Sequence, residues 1–143
     1  MMRAITLIRP WDWAILYAGK DVENRSWPIP RALLGEPIAL HSGQGFLPME
    51  ERTPPLLHCQ GAPREYDEPA DGRMPWPANR IVGVMWFSGY SVFPSRWRNG
   101  AAFAWDIARV FRLPEPIEGV KGRQRLWTLP EPIEVRVRAQ MAA

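Results

Sequence analysis

Between residues 9 and 25 the chain gathers its densest set of side chains able to do chemistry: Arg9, Trp11, Lys20, Glu23, Asn24 and Arg25. Together they suit an anionic ligand that also carries a flat ring. Arginine and lysine make charged hydrogen bonds to phosphate oxygens. Trp11 or Trp105 can stack on a base, a contact worth about 1–3 kcal/mol by alanine substitution. Asn24 or Glu23 can read a base edge such as a cytosine amino group. If there is catalysis, Lys20 and Glu23 are its centre. A carboxylate beside the lysine holds the ammonium protonated and placed to stabilise a developing oxyanion.

His41 follows an apolar run and precedes Ser42-Gly43. It is the expected proton shuttle for RNA cleavage, since imidazole changes charge near neutral pH. The competing reading is a capped histidine in the core. Only two of the eighteen basic residues are lysines, Lys20 and Lys121. A desolvated ammonium gives up its proton whereas guanidinium effectively does not, which makes both lysines candidates. Ser42, Lys121 and Arg123 complete the expected ligand contacts. The bland alternatives are core packing for most of the eight tryptophans, Trp86 and Trp127 included, and pairing of Arg25 with Glu23 or Asp21. No metal site is expected, because the carboxylates of the motif are matched by cations rather than clustered. Adjacent His58 and Cys59 lack the further ligands that zinc needs. No cofactor is implied.

The elements that must position these groups follow from pattern. Ala4 to Ile8 is β-branched and apolar, a strand. Pro10 suits a helix start, and Trp11, Ala14, Ile15 and Ala18 recur at helical spacing, with Asp12 in the first turn. Gly19 stands where a helix takes a left-handed stop. Val22 to Trp27 then alternates, with Glu23, Arg25 and Trp27 on one face. Residues 37–43 read as a buried strand and 47–57 as containing a short helix. The Pro-, Gly- and charge-rich stretch at about 58–78 reads as a long excursion. Arg80 to Tyr90 is apolar on both faces and should be central in the sheet. Phe103 to Leu113 is a strand with one aromatic face, broken by Pro114-Glu115-Pro116. Val120 to Trp127 is a basic turn, and Ile133 to Arg138 an alternating strand near an edge. Five or six short strands without βαβ rhythm predict a mostly β, mostly antiparallel small barrel with one or two helices.

A chain of 143 residues is expected to form one domain, 1–143. Its sixteen prolines oppose long helices. The lone Cys59 predicts a reducing compartment. No apolar run spans a bilayer, and Met1-Met2-Arg3 leads directly into strand-like sequence. The expectation is a cytoplasmic monomer with no membrane association. Residues 49–77 carry a net −3, which leaves +6 on the remainder of a chain of net +3. A basic body favours an anionic partner, nucleic acid being the usual one, although the same excess also serves solubility.

Strand-Arg9-Pro10-Trp11-helix-Gly19-Lys20-x-Val22-Glu23-Asn24-Arg25-x-Trp27, an apolar strand ending His41-Ser42-Gly43, and a late Lys121-Gly122 with Leu126-Trp127 resemble the ASCH family of the PUA-like superfamily. The resemblance runs from Ile5 to about Val137. It implies an α/β, mostly β pseudo-barrel with a cleft beside the first helix, and RNA or modified-nucleoside handling as a class. Some ASCH-like proteins are amidohydrolases of N4-acylated cytidine and some are ribonucleases. In the amidohydrolase branch a Lys, a Thr three positions later and a Glu from another strand carry the chemistry. Lys20 matches the Lys, and position 23 carries Glu. The expected function is therefore an RNA- or modified-nucleotide-binding domain. The alternative is a small hydrolase, ribonuclease or amidohydrolase, centred on Lys20 and Glu23. A peptide-binding cleft is the third reading.

Overall fold

In a computed structural model of the chain, residues 1–46, 77–91 and 94–143 are described. The helix expected within 47–57, nearly all of the 58–78 excursion and the His58–Cys59 pair lie outside them. The chain runs Arg3–Arg9 (β1), Trp11–Tyr17 (α1), Val22–Arg25 (β2), Ile38–Phe46 (β3), Arg80–Tyr90 (β4), Phe103–Ile117 (β5), Leu126–Thr128 (β6) and Glu131–Ala142 (α2). Among the described residues six strands form one sheet, ordered β2-β5-β4-β3-β1-β6. β1 and β3 run parallel, with Thr6 opposite His41, and the other neighbouring pairs are antiparallel. The sheet is open, with β2 and β6 as its edges. It has the expected mostly β composition with two short helices but is not a closed barrel. β4 lies inside the sheet between β3 and β5, as an apolar run buried on both faces requires.

Alternation along the strands divides the core. Ile5, Leu40, Met85, Phe87 and Trp105 face α1, which supplies Trp13, Ala14 and Leu16. Ala4, Ala39, Val84, Leu113 and Trp127 lie in the second cluster with Val137 of α2. Helix α1 ends at Gly19, whose φ of 75° is the left-handed stop read in the sequence. Among the described residues no helix is long and apolar enough to cross a membrane.

Two expectations are corrected. The prolines at 114 and 116 do not end β5, which runs on to Ile117. Opposite them β4 pairs Gly83 with Arg112 and next Ile81 with Ile117, so residues 113–116 pass as a bulge where a proline displaces no ladder hydrogen bond. The Gln140 side chain bonds both the N–H and the C=O of Glu115 there, at 3.0 and 2.8 Å. Ile133 to Arg138 is helix, not strand. Ile133, Val137 and Met141, four residues apart, meet the second core cluster, while Val135 is 60% exposed. Glu134 also pairs with Arg138 one turn on, at 2.8 Å.

Candidate functional site: a basic cleft between α1, β2 and the segment before β5

Gly19 redirects the chain so that Lys20 folds beneath α1, its N–H bonding Ala14 O at 3.1 Å. The Lys20 side chain is buried, 5% exposed. Its Nζ donates to the Val22 carbonyl, lies 3.7 Å from Glu23 Oε2 and stands 5.8 Å from the centre of the Trp11 ring. Glu23 is 6% exposed, and its Oε1 meets Arg25 Nε at 3.2 Å. Arg25 Nη2 donates to the Thr6 carbonyl at 3.2 Å, which ties β2 to β1 across the cleft floor. The result is a buried carboxylate between two cations. Burial pushes the Lys20 ammonium below its ordinary pKa; Glu23 opposes that fall and Arg25 adds to it. Glu23 Oε2 has no hydrogen-bond partner among the described residues.

The opposite wall is the segment 94–102, held by the two residues of the motif that sit between these charges. Ser95 Oγ donates to Asp21 Oδ1 at 2.6 Å, and Trp97 N–H donates to Ser95 Oγ at 3.1 Å. Asn24 Nδ2 donates to the Trp97 carbonyl at 2.9 Å. Trp97 is thereby set edge-on to Trp11, rings 6.4 Å apart at 81°. Arg96 and Arg98, on either side of buried Trp97, are exposed at the rim. The cleft has a volume of about 490 Å3, within the range of small-ligand sites. Its titratable lining is four cations (Lys20, Arg25, Arg96, Arg98) against Glu23.

The structure therefore brings together Trp11, Lys20, Glu23, Asn24 and Arg25, and separates the other candidates from them. Asn24 lines the cleft, but its amide is committed to the wall rather than to reading a base. Arg9 lies outside the lining and donates to the Gln44 carbonyl at 2.7 Å. Ser42 is buried and donates to Pro77 O at 3.0 Å. Trp105 is fully buried, its Nε1 bonded to the Trp27 carbonyl at 3.2 Å, and has no face for a base. Lys121 and Arg123 line a different cavity, on the loop before β6.

His41 requires the largest correction. It is 0% exposed and does not border the cleft. Its Nε2 lies 2.6 Å from the Val120 carbonyl, which can only accept, so Nε2 carries the proton. Nδ1 then accepts from Thr6 Oγ1 at 3.1 Å, and Thr6 Oγ1 in turn accepts from Trp127 Nε1 at 3.1 Å. Burial lowers its pKa. This is a closed relay that locks β1, β3 and the β6 approach together, and it has no opening through which to shuttle a proton.

The residues that pattern-reading passed over are Arg96, Trp97, Arg98 and Asn99. An arginine-tryptophan-arginine triplet is itself the basic and aromatic interleaving that would have marked them. Among the described residues no group of three or more His, Cys, Asp or Glu is placed to hold a metal ion.

No family model matches the sequence. No curated protein matches it at a significant level. Among solved structures the chain is similar to that of an ASCH protein from Zymomonas mobilis, with a TM-score of 0.55 and 14% identity over 96% of this chain and 94% of that one. The likeness is one of fold.

Proposed function

We propose that the chain binds RNA or a modified nucleotide in the cleft between α1, β2 and the segment 94–102. The observation that carries the reading is the Lys20–Glu23–Arg25 cluster on the floor of a cavity walled by Trp11 and Trp97 and rimmed by Arg96 and Arg98. Arg25, Arg96 and Arg98 supply charged donors for phosphate, and the Trp11 indole supplies an apolar face for a base. Glu23 Oε2, buried and short of a hydrogen bond, is an acceptor for an amino or imino N–H on the base edge. The ASCH-like fold and motif agree with a nucleic-acid ligand.

A thermal-shift screen against nucleosides, nucleotides and short RNAs tests this. Stabilisation by at least one class is expected, and Arg25→Ala should weaken it about tenfold or more, the loss of one charged hydrogen bond. No shift with any class at low ionic strength removes the reading.

A second reading, a small hydrolase of RNA or of an acylated cytidine, is favoured by one feature. An ammonium whose pKa burial depresses stands against a carboxylate inside a ligand-sized cavity. Lys20 then stabilises the developing oxyanion, and Glu23 holds it in place and opposes the loss of its proton. Lys20→Ala is expected to melt at a lower temperature than the wild type and, assayed where circular dichroism shows it folded, to have lost turnover. Wild-type protein that forms no product beyond a nuclease-free control eliminates this reading alone.

A further inference from the structure

A second cavity, of about 540 Å3, lies where the loop before β6 meets the start of α2. Its floor is apolar, built from Trp127, Pro130 and Ile133, and its rim carries Lys121 and Arg123. The loop is pinned rather than loose. Val120 is buried, its N–H donating to Asn79 O at 2.9 Å and its carbonyl held by His41. Gly122 presses so closely on His41 and Thr6 that a Cβ there would stand 2.6 Å from both. Buried Val120 and tight Gly122 thus alternate with exposed Lys121 and Arg123, which point two cations outward at every second residue. Neither makes a hydrogen bond or ion pair with a described residue. Two cations two residues apart on one pinned loop are placed to contact successive phosphates of one strand.

The same loop reaches back to the first cleft. The guanidinium of Arg125 lies 5.2 Å from the centre of the Trp27 ring, and that of Arg25, on the cleft floor, lies 5.9 Å from the same ring. Trp27, which borders neither cavity, thus stands within cation–π range of both Arg25 of the first cleft and Arg125 of the loop that carries Lys121 and Arg123.

We infer that the ligand is a single-stranded polynucleotide rather than a lone nucleotide, its backbone passing from the cleft over Arg125 and along Lys121 and Arg123 into this second groove. The inference rests on the nucleotide reading of the cleft, and binding measurements separate the two. Calorimetric titrations at low ionic strength compare cytidine 5′-monophosphate with a ribo-oligonucleotide of about eight residues, a length within the range that small binding folds cover. The strand is expected to bind at least about tenfold more tightly. Lys121→Ala/Arg123→Ala should abolish that advantage and reduce the slope of log affinity against log salt by about 1.4, the counterion release of two phosphate contacts on a single strand. Both side chains are exposed, so the melting temperature checks only that the variant is folded.

Equal binding of monophosphate and strand, or a double variant that keeps both the wild-type strand affinity and salt slope, overturns the inference and leaves the cleft reading intact. Strand binding that depends on Lys121 and Arg123 but not on Arg25 overturns the cleft reading and the continuous path together, while retaining the groove. Binding of neither ligand overturns both.

Discussion

Lys20 shows why residue identity matters more than charge at this site. Its ammonium fits a space where three groups converge, the Val22 carbonyl, the Glu23 carboxylate and the Trp11 ring, and only 5% of the residue is exposed. A planar guanidinium fork does not fit a compact point-charge site of this kind. Removing either partner of a buried ion pair is expected to destabilise far more than replacing both. His41 makes the opposite point. Its accessible-looking position, before Ser42 and Gly43, suited a proton shuttle, and its hydrogen bonds make it a structural tie. Because the folded protein disfavours His41 protonation, the unfolded chain binds more protons as pH falls below the ordinary histidine value of 6.5, and stability falls with it. Urea melts across this range should show a steeper acid loss for wild type than for His41→Gln; parallel curves contradict the assignment. Gly122→Ala places a methyl against the same imidazole, and a loss of about 1–3 kcal/mol in denaturant midpoint analysis is expected for such overpacking. Unchanged stability there means that the loop is not seated on His41.

At the scale of elements, the motif from Gly19 to Arg25 divides its work. Lys20, Glu23 and Arg25 form the charged floor, while Asp21 and Asn24 fasten the wall at 94–102. Asn24→Ala is expected to speed amide exchange at Trp97 and Asn99 several-fold, since one latch hydrogen bond is worth about 0.5–1.5 kcal/mol. Amide protection unaffected by the variant rejects the latch. The floor was legible in sequence because its spacing is local: a helix, a glycine stop and a short strand. The wall was not, because Arg96 to Asn99 reach the floor from seventy or more positions away, through hydrogen bonds to Asp21 and Asn24. The central place of β4 was legible from its unbroken apolar run. The end of β5 was obscured by prolines that a bulge accommodates. α2 was read as a strand because Ile133, Val135 and Val137 alternate over a window too short to expose the four-residue period that Met141 completes.

At the scale of the molecule, the sheet is covered on both faces, and its cations are spread over strands, α2 and loops, with Arg3, Arg109, Arg112, Arg136 and Arg138 exposed on regular elements. α1 covers one face and α2 docks on the other, and one set of basic side chains lines the cavities at β2 with the segment 94–102 and at the loop before β6. A predominantly positive field around a groove draws an anionic chain and weakens steeply with salt. The fold that this chain shares with the Zymomonas mobilis ASCH protein places the helix and sheet; the charges belong to this sequence. The most direct test is fluorescence anisotropy of a short labelled single-stranded RNA, titrated with wild type and with Arg96→Ala/Arg98→Ala over a series of salt concentrations. Saturable binding that declines with salt in the wild type, and whose slope the double variant flattens by about 1.4, is the predicted result. RNA that stays free at the lowest salt, or a double variant whose isotherms overlay those of the wild type, contradicts the assignment of the cleft.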